Sequence, residues 1–313
     1  MAVTTADIEA AYERIAGHIR RTPVMESGAG SFGIDRSLSL KLELFQHGGS
    51  FKARGAFNNL LSRPVPEAGV AAASGGNHGV AVAYAARSLD LPADIFVPET
   101  SAPAKIAKVR AMGARLHVGG ARYADAAEAC ARHRAHSGAI DIHAYDAAET
   151  IAGQGTVALE WEEQTPDLDT VLVAVGGGGL ISGIATWFSG DVKVVGVEPV
   201  GSCALQAALE AGHPVDVDVE SIAADSLGAK RCGNLVYEIC REKVDSVVLV
   251  GDAAIAEAQA RLWRDAQIAT EPGGATALAA LISGAYKPVA DERVGVLVCG
   301  GNVDPEALSR FGA

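Results

Sequence analysis

The sequence predicts an α/β fold in which two open, twisted sheets of parallel strands are covered by helices. Short apolar runs rich in valine alternate with longer stretches of helical periodicity along most of the chain. Parallel strands that are buried on both faces have this continuous apolar character, and the helices between them supply the crossover connections. The chain has 313 residues, more than one hydrophobic core usually serves, so we expect two compact units.

Nine segments have the length and composition of buried strands. Those between residues 62 and 148 are short and evenly spaced, whereas the later ones form a separate series that continues towards the C-terminus. We therefore predict a large unit formed by residues 1–61 and 149–313, a small unit formed by residues 62–148, and a functional site in the cleft between them. The nine segments are 38–44, 69–74, 93–98, 114–119, 139–145, 170–175, 192–199, 245–250 and 293–299.

The composition is that of a globular protein and excludes several classes of partner. Apolar residues make up 49% of the chain and charged residues 20%, which rules out a disordered chain. The 38 acidic and 26 basic residues give a formal net charge of −12, and no basic run marks a nucleic acid-binding face. Residues 1–23 lack the apolar block of a signal peptide, and no run has transmembrane length. We therefore expect neither a nucleic acid nor a membrane as a partner.

The five cysteines are few, odd in number and widely scattered along the chain: Cys130, Cys203, Cys232, Cys240 and Cys299. No two of them have the spacing of a zinc site, and a disulfide framework would need pairs. The cysteine content is therefore typical of a protein from the reducing cytoplasm, which is the location that we expect.

A run of four glycines connects a predicted strand to a predicted helix within residues 170–188. The backbone amides of such a loop, together with the helix N-terminus, can bind a phosphate, although a tight turn without a ligand is an equal alternative. The loop is not a dinucleotide fingerprint, because Ile181 stands where the third glycine would follow Gly176 and Gly178. No Gly-Lys-Ser/Thr follows, as a nucleotide P-loop would require. If the loop binds a phosphate, we expect that of a small cofactor.

Residues 74–79, with the sequence SGGNHG, form a second turn from a strand into a helix. The turn concentrates the Ser74 hydroxyl, the amides of two glycines, the Asn77 side chain and the His78 imidazole within five residues. Such a set suits a carboxylate ligand. Each of these side chains taken singly is more often a helix cap than a ligand.

Two further side chains stand at the ends of predicted elements. Lys52 lies beside Phe51 at the start of a helix with a buried apolar stripe, and a second cation, Arg54, follows it. Cys299 ends the last predicted strand, where open α/β folds position ligand contacts. A surface lysine and a thiol buried in the core are the alternatives that these residues leave open.

Seven motifs resemble those of the serine/threonine dehydratases, pyridoxal-phosphate enzymes of fold type II whose relatives include serine racemase. The motifs follow one another in the order of that family and cover nearly the whole chain. A single motif would be weak, but seven in register are very specific. They are GSFKARGA at 49–56, SGGNHG at 74–79, GQGT at 153–156, GGGGLISG at 176–183, GVEP at 196–199, TEPGGA at 270–275 and CGGN at 299–302.

The resemblance implies a pyridoxal 5'-phosphate site centred on Lys52. This lysine would bind the cofactor aldehyde covalently, which removes a charge that is costly to bury, and would later remove the α-proton of the substrate. The second task requires a pKa lowered towards neutrality. Phe51 would pack beside the cofactor ring, Asn77 would bind the ring hydroxyl and Cys299 would face the pyridine nitrogen. The phosphate would be held by Gly176, Gly177, Gly178, Gly179 and Leu180.

The same resemblance implies that Ser74, Gly75 and His78 surround the substrate carboxylate. A neutral thiol opposite the pyridine nitrogen weakens the ring as an electron sink, which favours loss of a β-substituent over a long-lived carbanion. Serine racemase carries a second serine where Gly75 stands, and glycine delivers no proton, so racemisation is disfavoured. We therefore expect a dehydratase (ammonia-lyase) that converts L-threonine, L-serine or both to 2-oxobutanoate or pyruvate and ammonia.

Some members of the resembled family bind a divalent cation through a glutamate that matches Glu198 and an acidic residue six positions later. Ala204 stands at the second position in this chain. A single carboxylate is a poor site for a hard cation. We therefore expect no metal here and a structural role for Glu198.

Several alternatives remain open from the sequence. A dehydratase of another β-hydroxy amino acid, such as 3-hydroxyaspartate or phenylserine, is one, because nothing defines the pocket for the β-substituent. Serine racemase and a β-replacement synthase are two others. A non-catalytic amino-acid sensor and a nicotinamide oxidoreductase represent different classes, which the retained Lys52 and the missing dinucleotide fingerprint respectively disfavour. We also expect a homodimer and a small amino acid as the partner.

Overall fold

A computed structural model describes residues 3–101, 103–304 and 306–307, which contain two β-sheets. Strands and helices are numbered along the chain. The larger sheet consists, in spatial order, of β1 (Val24–Ser27), β2 (Leu38–Lys41), β10 (Val294–Leu297), β7 (Thr170–Ala174), β8 (Lys193–Pro199) and β9 (Ser246–Val250). The smaller sheet consists, in spatial order, of β5 (Arg115–Val118), β4 (Ala93–Val97), β3 (Val70–Ala73) and β6 (Ile140–Asp141).

Helices connect the strands and cover both sheets. Several of them begin at residues that the sequence singled out, including Lys52 and Asn77. The helices are α1 (Thr5–Ile15), α2 (Lys52–Leu61), α3 (Asn77–Ser88), α4 (Pro103–Ala111), α5 (Tyr123–Ser137), α6 (Ala148–Gln164), α7 (Gly179–Phe188), α8 (Ala204–Ala211), α9 (Ala224–Leu227), α10 (Asn234–Lys243), α11 (Asp252–Ala266) and α12 (Pro272–Ile282).

The predicted α/β class with parallel sheets is confirmed, and each of the nine predicted segments contains a strand. The described strand pairs are parallel except for β1 with β2. Strand β1 was not predicted, because it is a short edge strand of mixed burial and therefore lacks a continuous apolar run. Strand β6 is shorter than predicted, because only Ile140 and Asp141 pair with β3.

Two hydrophobic cores accompany the two sheets. The larger core packs around β2, β7, β8 and β10, and the second core packs around β3 and β4 with α2 and α3. Helix α2 contacts α6, which packs into the larger core, and α3, which packs into the second core, so α2 lies at the junction of the two cores. The strands of the small sheet fall within residues 62–148, as the predicted division requires. The domain boundaries themselves stay a prediction.

A cluster of buried ions joins β2, α2 and α6 next to this junction. The guanidinium of Arg54 donates to Glu43 Oε1 at 2.7 Å and to Glu160 Oε2 at 3.1 Å. Lys41 Nζ donates to Glu160 Oε1 at 2.5 Å. All four side chains are fully buried. Each charge therefore has an opposite charge as its neighbour, which burial requires. No helix of the described residues is both long and apolar enough to cross a membrane.

Candidate active site

Lys52 begins α2, and its amine lies partly buried where the two sheets meet. Nζ donates a hydrogen bond to the carbonyl of Ala144 at 2.7 Å and lies 5.1 Å from the centre of the Phe51 ring. In the described part of the chain, no carboxylate is within ion-pair distance of this amine. Burial lowers the pKa of Lys52 to about 8, and only the Cys299 thiol opposes that shift. Roughly a tenth of this amine is therefore without its proton at pH 7, far more than for an ordinary lysine.

The four glycines lie between the end of β7 and the start of α7. Gly178 has a φ of +90°, a left-handed conformation that glycine adopts without strain. A Cβ atom on Gly177 would lie 2.2 Å from the Tyr145 ring, so only glycine permits this close approach. None of the described side chains caps α7, whereas the Asp146 carboxylate accepts the Asn234 N–H at the start of α10 at 3.0 Å. The amides at the start of α7 are thus available to an anionic ligand.

Cys299 lies two residues after the end of β10, against the first turn of α2. Its carbonyl accepts the N–H of Phe51 at 3.3 Å, and the next residue, Gly300, forms an isolated bridge with Ser50. The thiol is only 3% exposed and donates to the Gly273 carbonyl at 3.4 Å. Burial raises the pKa of Cys299, so the side chain is a neutral thiol at pH 7.

Asn77, the first residue of α3, forms hydrogen bonds through its side-chain amide to Glu271 and Asn302. Nδ2 donates to Glu271 Oε1 at 2.5 Å, and Oδ1 accepts from Asn302 Nδ2 at 2.5 Å. Glu271 precedes α12 and is 7% exposed. Burial raises the pKa of Glu271 to about 7, against the opposing effects of the Asn77 hydrogen bond and the Lys108 charge. A carboxyl group with this pKa can hold or release a proton near neutral pH.

The structure brings together all the residues that the sequence assigned to the cofactor, because they line one small cavity. Tyr145, Ala174, Ser226, Leu227 and Glu271 complete its wall, and the sequence analysis assigned no role to them. Glu271 stands inside the TEPGGA motif, which was a usable signal, whereas Tyr145 lies outside every motif. The assigned residues are Phe51, Lys52, Asn77, Gly176, Gly177, Gly178, Gly179, Leu180 and Cys299.

The three residues assigned to the substrate carboxylate are placed differently from one another. Gly75 lines a second, larger cavity, which shares Asn77 and Glu271 with the first. Ser74 Oγ accepts the N–H of Gly76 at 3.3 Å. His78 is buried, and its Nε2 donates to the Ile142 carbonyl at 2.7 Å.

The imidazole of His78 is uncharged at neutral pH. Burial lowers the pKa of His78 to about 3, and the Lys52 charge adds to that effect. Neither Ser74 nor His78 lines either of these two cavities. The contact of the three residues with the substrate carboxylate stays a prediction.

Glu198, which the sequence analysis considered for a cation, is fully buried at the start of α8. Its two carboxylate oxygens accept the N–H groups of Leu205 and Gln206 at 2.9 and 2.8 Å. These contacts stabilise the helix start. Burial nevertheless raises the pKa of Glu198 to about 7. The described residues contain no group of three or more His, Cys, Asp or Glu side chains arranged to bind a metal.

The small cavity fits pyridoxal 5'-phosphate in its donor chemistry. It offers an amine with a lowered pKa for the aldehyde, uncapped amides of a glycine loop for the phosphate, and a neutral thiol for the pyridine nitrogen. The Phe51 ring lies at the same wall as the amine, where a flat ring can pack against it. The residues present are therefore suited to this cofactor.

Comparison with known proteins gives the same assignment. A family model described as "Pyridoxal-phosphate dependent enzyme" matches residues 15–300. Phenylserine dehydratase of Ralstonia pickettii is 38% identical over 302 residues, which are 95% of this chain and 92% of that protein. L-threonine ammonia-lyase of Thermotoga maritima is 35% identical over 314 residues, covering 99% of this chain and 78% of that protein. The solved structure of maize serine racemase has a TM-score of 0.92 and 34% identity, covering 99% of this chain and 97% of that one.

These three relatives differ in the activities for which they are named, so they identify the family and not the substrate. They agree in fold and extend over nearly all of the chain. The resemblance expected from the seven motifs is thereby confirmed. The chain belongs to the pyridoxal-phosphate-dependent enzymes of fold type II, within the dehydratases and racemases that use pyridoxal 5'-phosphate as cofactor.

Proposed function

We propose that the protein is a dehydratase, or ammonia-lyase, of L-β-hydroxy amino acids, with L-serine and L-threonine as the simplest substrates. It would convert them by α,β-elimination to pyruvate or 2-oxobutanoate and ammonia. The observation that carries the proposal is the pairing of a Lys52 amine of lowered pKa with a neutral Cys299 thiol in one cavity. An amine that can lose its proton suits α-proton removal, and a neutral thiol suits rapid loss of the β-hydroxyl.

When bound, pyridoxal 5'-phosphate supplies an electron sink that acidifies the α-hydrogen of the attached amino acid. Lys52 would hold the cofactor through Nζ and, when that nitrogen is free, would accept the α-proton of the substrate. Its pKa of about 8 leaves an appreciable neutral fraction at physiological pH, whereas an unperturbed lysine would be almost fully protonated. The amides at the start of α7 would hold the phosphate of the cofactor.

Asn77 and Glu271 both lie on the wall of the small cavity and form a hydrogen bond with each other. The 2.5 Å hydrogen bond between them fixes the side-chain amide of Asn77, which is assigned to the ring hydroxyl. Because burial raises the pKa of Glu271 to about 7, this carboxyl group can hold a proton without adding a full negative charge beside the cofactor. Glu271 is thus a positioning residue in the proposed site.

Gly75 favours elimination over racemisation in this proposal. Racemisation needs a proton donor on the face of the α-carbon opposite Lys52, and glycine has no side chain to supply one. A Cβ atom on Gly75 would lie 3.3 Å from both Ser101 Oγ and Val97 Cγ1, so a larger residue would have to displace its neighbours slightly. Ser101 and Val97 therefore pack close to Gly75 and leave little room for a side chain at this position.

A dehydratase of phenylserine is a second candidate that a specific observation favours. The relative named phenylserine dehydratase is 38% identical over 95% of this chain. The larger cavity also has apolar side chains on its wall, including Val80, Ile222 and Val303, which suit an aromatic substituent. Both candidates share the proposed mechanism and differ only in the β-substituent.

The test is a product assay on the purified enzyme loaded with its cofactor. L-Serine, L-threonine and L-phenylserine are incubated separately, and the 2-oxo acid, ammonia and D-amino acid are measured in the same samples. We expect 2-oxo acid and ammonia in equal amounts and much slower formation of D-amino acid, since a missing acid/base group typically costs ~10²–10⁴-fold in rate. Racemisation as fast as elimination, or no elimination with any β-hydroxy amino acid, would refute the proposal.

A further inference from the structure

The larger cavity extends from the proposed reaction site along α4. Its wall includes Gly75 and Gly76, and it shares Asn77 and Glu271 with the cofactor cavity. A substrate attached to the cofactor can therefore extend a substituent into the larger cavity. The residues on this wall are the ones in a position to select among β-substituents.

Lys108 places a cation on that wall. Its side chain is half-buried on α4, and Nζ donates a hydrogen bond to Asn302 Oδ1. The same Asn302 donates from Nδ2 to Asn77 Oδ1 at 2.5 Å and to the Gly48 carbonyl at 2.9 Å. Lys108 is therefore held at a defined position and is connected by two hydrogen bonds to a residue of the proposed cofactor site.

Among the described residues, Lys108 has no anionic hydrogen-bond or ion-pair partner, unlike the other lysine on this wall. Lys105 lies nearly one helical turn earlier and forms an ion pair with Asp225 Oδ1 at 2.6 Å. No carboxylate of the described residues forms an ion pair with Lys108, whose one hydrogen-bond partner is the neutral Asn302 amide. Burial lowers the pKa of Lys108, which Glu271 opposes from a distance. A cation that is partly removed from water without a counter-ion is unfavourable, and an anionic ligand would relieve that cost.

The described carboxylates on the same wall do not form an ion pair with Lys108. Asp225 is already paired with Lys105. Glu271 Oε1 accepts a hydrogen bond from the Asn77 side-chain amide, and burial raises the pKa of Glu271 to about 7. Asp304 is exposed and accepts the N–H of Glu306 at 3.0 Å. Within the described part of the cavity, Lys108 is thus the cation available to a bound anion.

The α-carboxylate of the substrate is already accounted for by the turn at residues 74–79, to which the proposed function assigns it. We propose that Lys108 is a specificity-determining residue that binds a second carboxylate, carried on the β-carbon of the substrate. The preferred substrate class is then a β-hydroxy dicarboxylic amino acid, of which 3-hydroxyaspartate is the simplest. This inference rests on the proposed function and narrows it.

The reaction balances without a further reactant. The α-proton and the β-hydroxyl leave 3-hydroxyaspartate as water, when its Cα–H and Cβ–O bonds break. The released enamine tautomerises to an imine, and its hydrolysis takes up one water to give oxaloacetate and ammonia. These steps account for every atom of the substrate and products, and no external oxidant or reductant is needed.

The experiment compares kcat/KM for L-3-hydroxyaspartate, as separate threo and erythro isomers, with kcat/KM for L-serine. The proteins are the cofactor-loaded wild type, Lys108→Met, Lys108→Arg and the control Arg110→Met, which removes an exposed cation of the same helix outside the cavity. We expect Lys108→Met to lower the ratio of the two constants by ~10- to 100-fold, mainly through KM, because a charge-assisted hydrogen bond is lost. Lys108→Arg should recover part of the ratio, and Arg110→Met should retain it.

Two results would overturn the inference while leaving the proposed function intact. The first is a wild-type enzyme that eliminates water from L-serine but shows no preference for either isomer of 3-hydroxyaspartate. The second is an equal loss with both substrates in Lys108→Met, which would assign Lys108 to the α-carboxylate that they share. Absence of elimination from every β-hydroxy amino acid would instead refute the proposed function itself.

Discussion

Helix α2 carries two cations, two residues apart, whose surroundings are opposite. Arg54 is fully buried and contacts the carboxylates of Glu43 and Glu160, so that its pKa is raised although burial alone would lower it. Lys52 has the Ala144 carbonyl as its hydrogen-bond partner, and burial lowers its pKa to about 8. A paired cation stays charged and serves the fold, whereas a cation left without a counter-ion is available for chemistry.

The same contrast separates two buried lysines. Lys41 Nζ contacts Glu160 Oε1 at 2.5 Å and Gln164 Oε1 at 2.6 Å, and it lies in the ion cluster with Arg54. Lys52 faces the glycine loop and the Cys299 thiol. Burial lowers the pKa of both amines, but only Lys41 has carboxylate neighbours that oppose the shift. The position of partners, and not burial itself, therefore distinguishes the structural cation from the reactive one.

The largest effect is expected from Lys52→Ala. Removing the amine that we propose holds the cofactor and accepts the α-proton should lower the rate of the proposed elimination from L-serine by ~10⁴-fold or more. The free energy of unfolding should change little, because no ion pair is lost. Lys52→Arg should be equally inactive, since a guanidinium keeps its proton at neutral pH. If either variant retained a tenth of the activity, Lys52 would not be the reactive cation of α2, and its contrast with Arg54 would fail.

Arg54→Met should show the opposite outcome, with a loss of stability. The change leaves Glu43 and Glu160 buried with only Lys41 to balance them, and breaking a buried ion cluster in this way costs about 3–5 kcal/mol. Urea unfolding gives the free energy directly, with Arg54→Lys as the control that keeps the charge but loses the two-pronged contact. A loss below about 1 kcal/mol in Arg54→Met would mean that the cluster does not stabilise the fold.

The pH dependence of stability should have opposite signs for Glu271 in the candidate site and for Glu43 in the buried ion cluster. Burial raises the pKa of Glu271 from 4.5 to about 7, so the folded state keeps a proton that the unfolded state has lost, and this group makes the protein less stable as pH rises through that window. Burial also acts on Glu43, but the charges and hydrogen bonds of Arg54, Lys41 and Thr22 together outweigh it and lower the pKa of Glu43. The contribution of Glu43 is therefore present above its unfolded pKa and is lost on acidification.

The substitution Glu271→Gln should remove the contribution of Glu271 to the pH dependence of stability. Compared with wild type, the variant should gain about 1–3 kcal/mol in relative stability between pH 4.5 and pH 7. Glu198, whose pKa is also raised to about 7, remains in both proteins and cancels in the difference. Parallel stability curves for the two proteins across this range would show that Glu271 does not titrate there.

Local pattern in the sequence was enough for most of the fold. Valine-rich runs such as 170–175 became buried parallel strands because both of their faces are covered. The edge strand β1 was missed because its burial is mixed and its pairing with β2 is antiparallel, which leaves no continuous apolar run. Lys41 was read as part of an apolar strand, and nothing in its neighbours along the chain reveals the Glu160 carboxylate that balances it.

The candidate site was predictable where the sequence resembles the motifs of a known family. The glycine loop, Lys52 and Asn77 were assigned in this way, and the structure places them on the wall of one cavity. Glu271 received no role because its partner, Asn77, is 194 residues away along the chain. Tyr145 likewise approaches Gly177 only through the fold. Contacts of this kind depend on how the two sheets meet, which a single sequence does not display.

The most direct test of the contrast between paired and unpaired cations is to identify the lysine that holds the cofactor. The purified holoenzyme is reduced with sodium borohydride, which fixes pyridoxal phosphate to the amine that carries it, and the digested protein is mapped by mass spectrometry. We predict the pyridoxyl group on Lys52 and an unlabelled Lys41, whose amine is engaged by Glu160 and Gln164. A label on Lys41 or on any other lysine, or no label on a protein that contains the cofactor, would contradict this account.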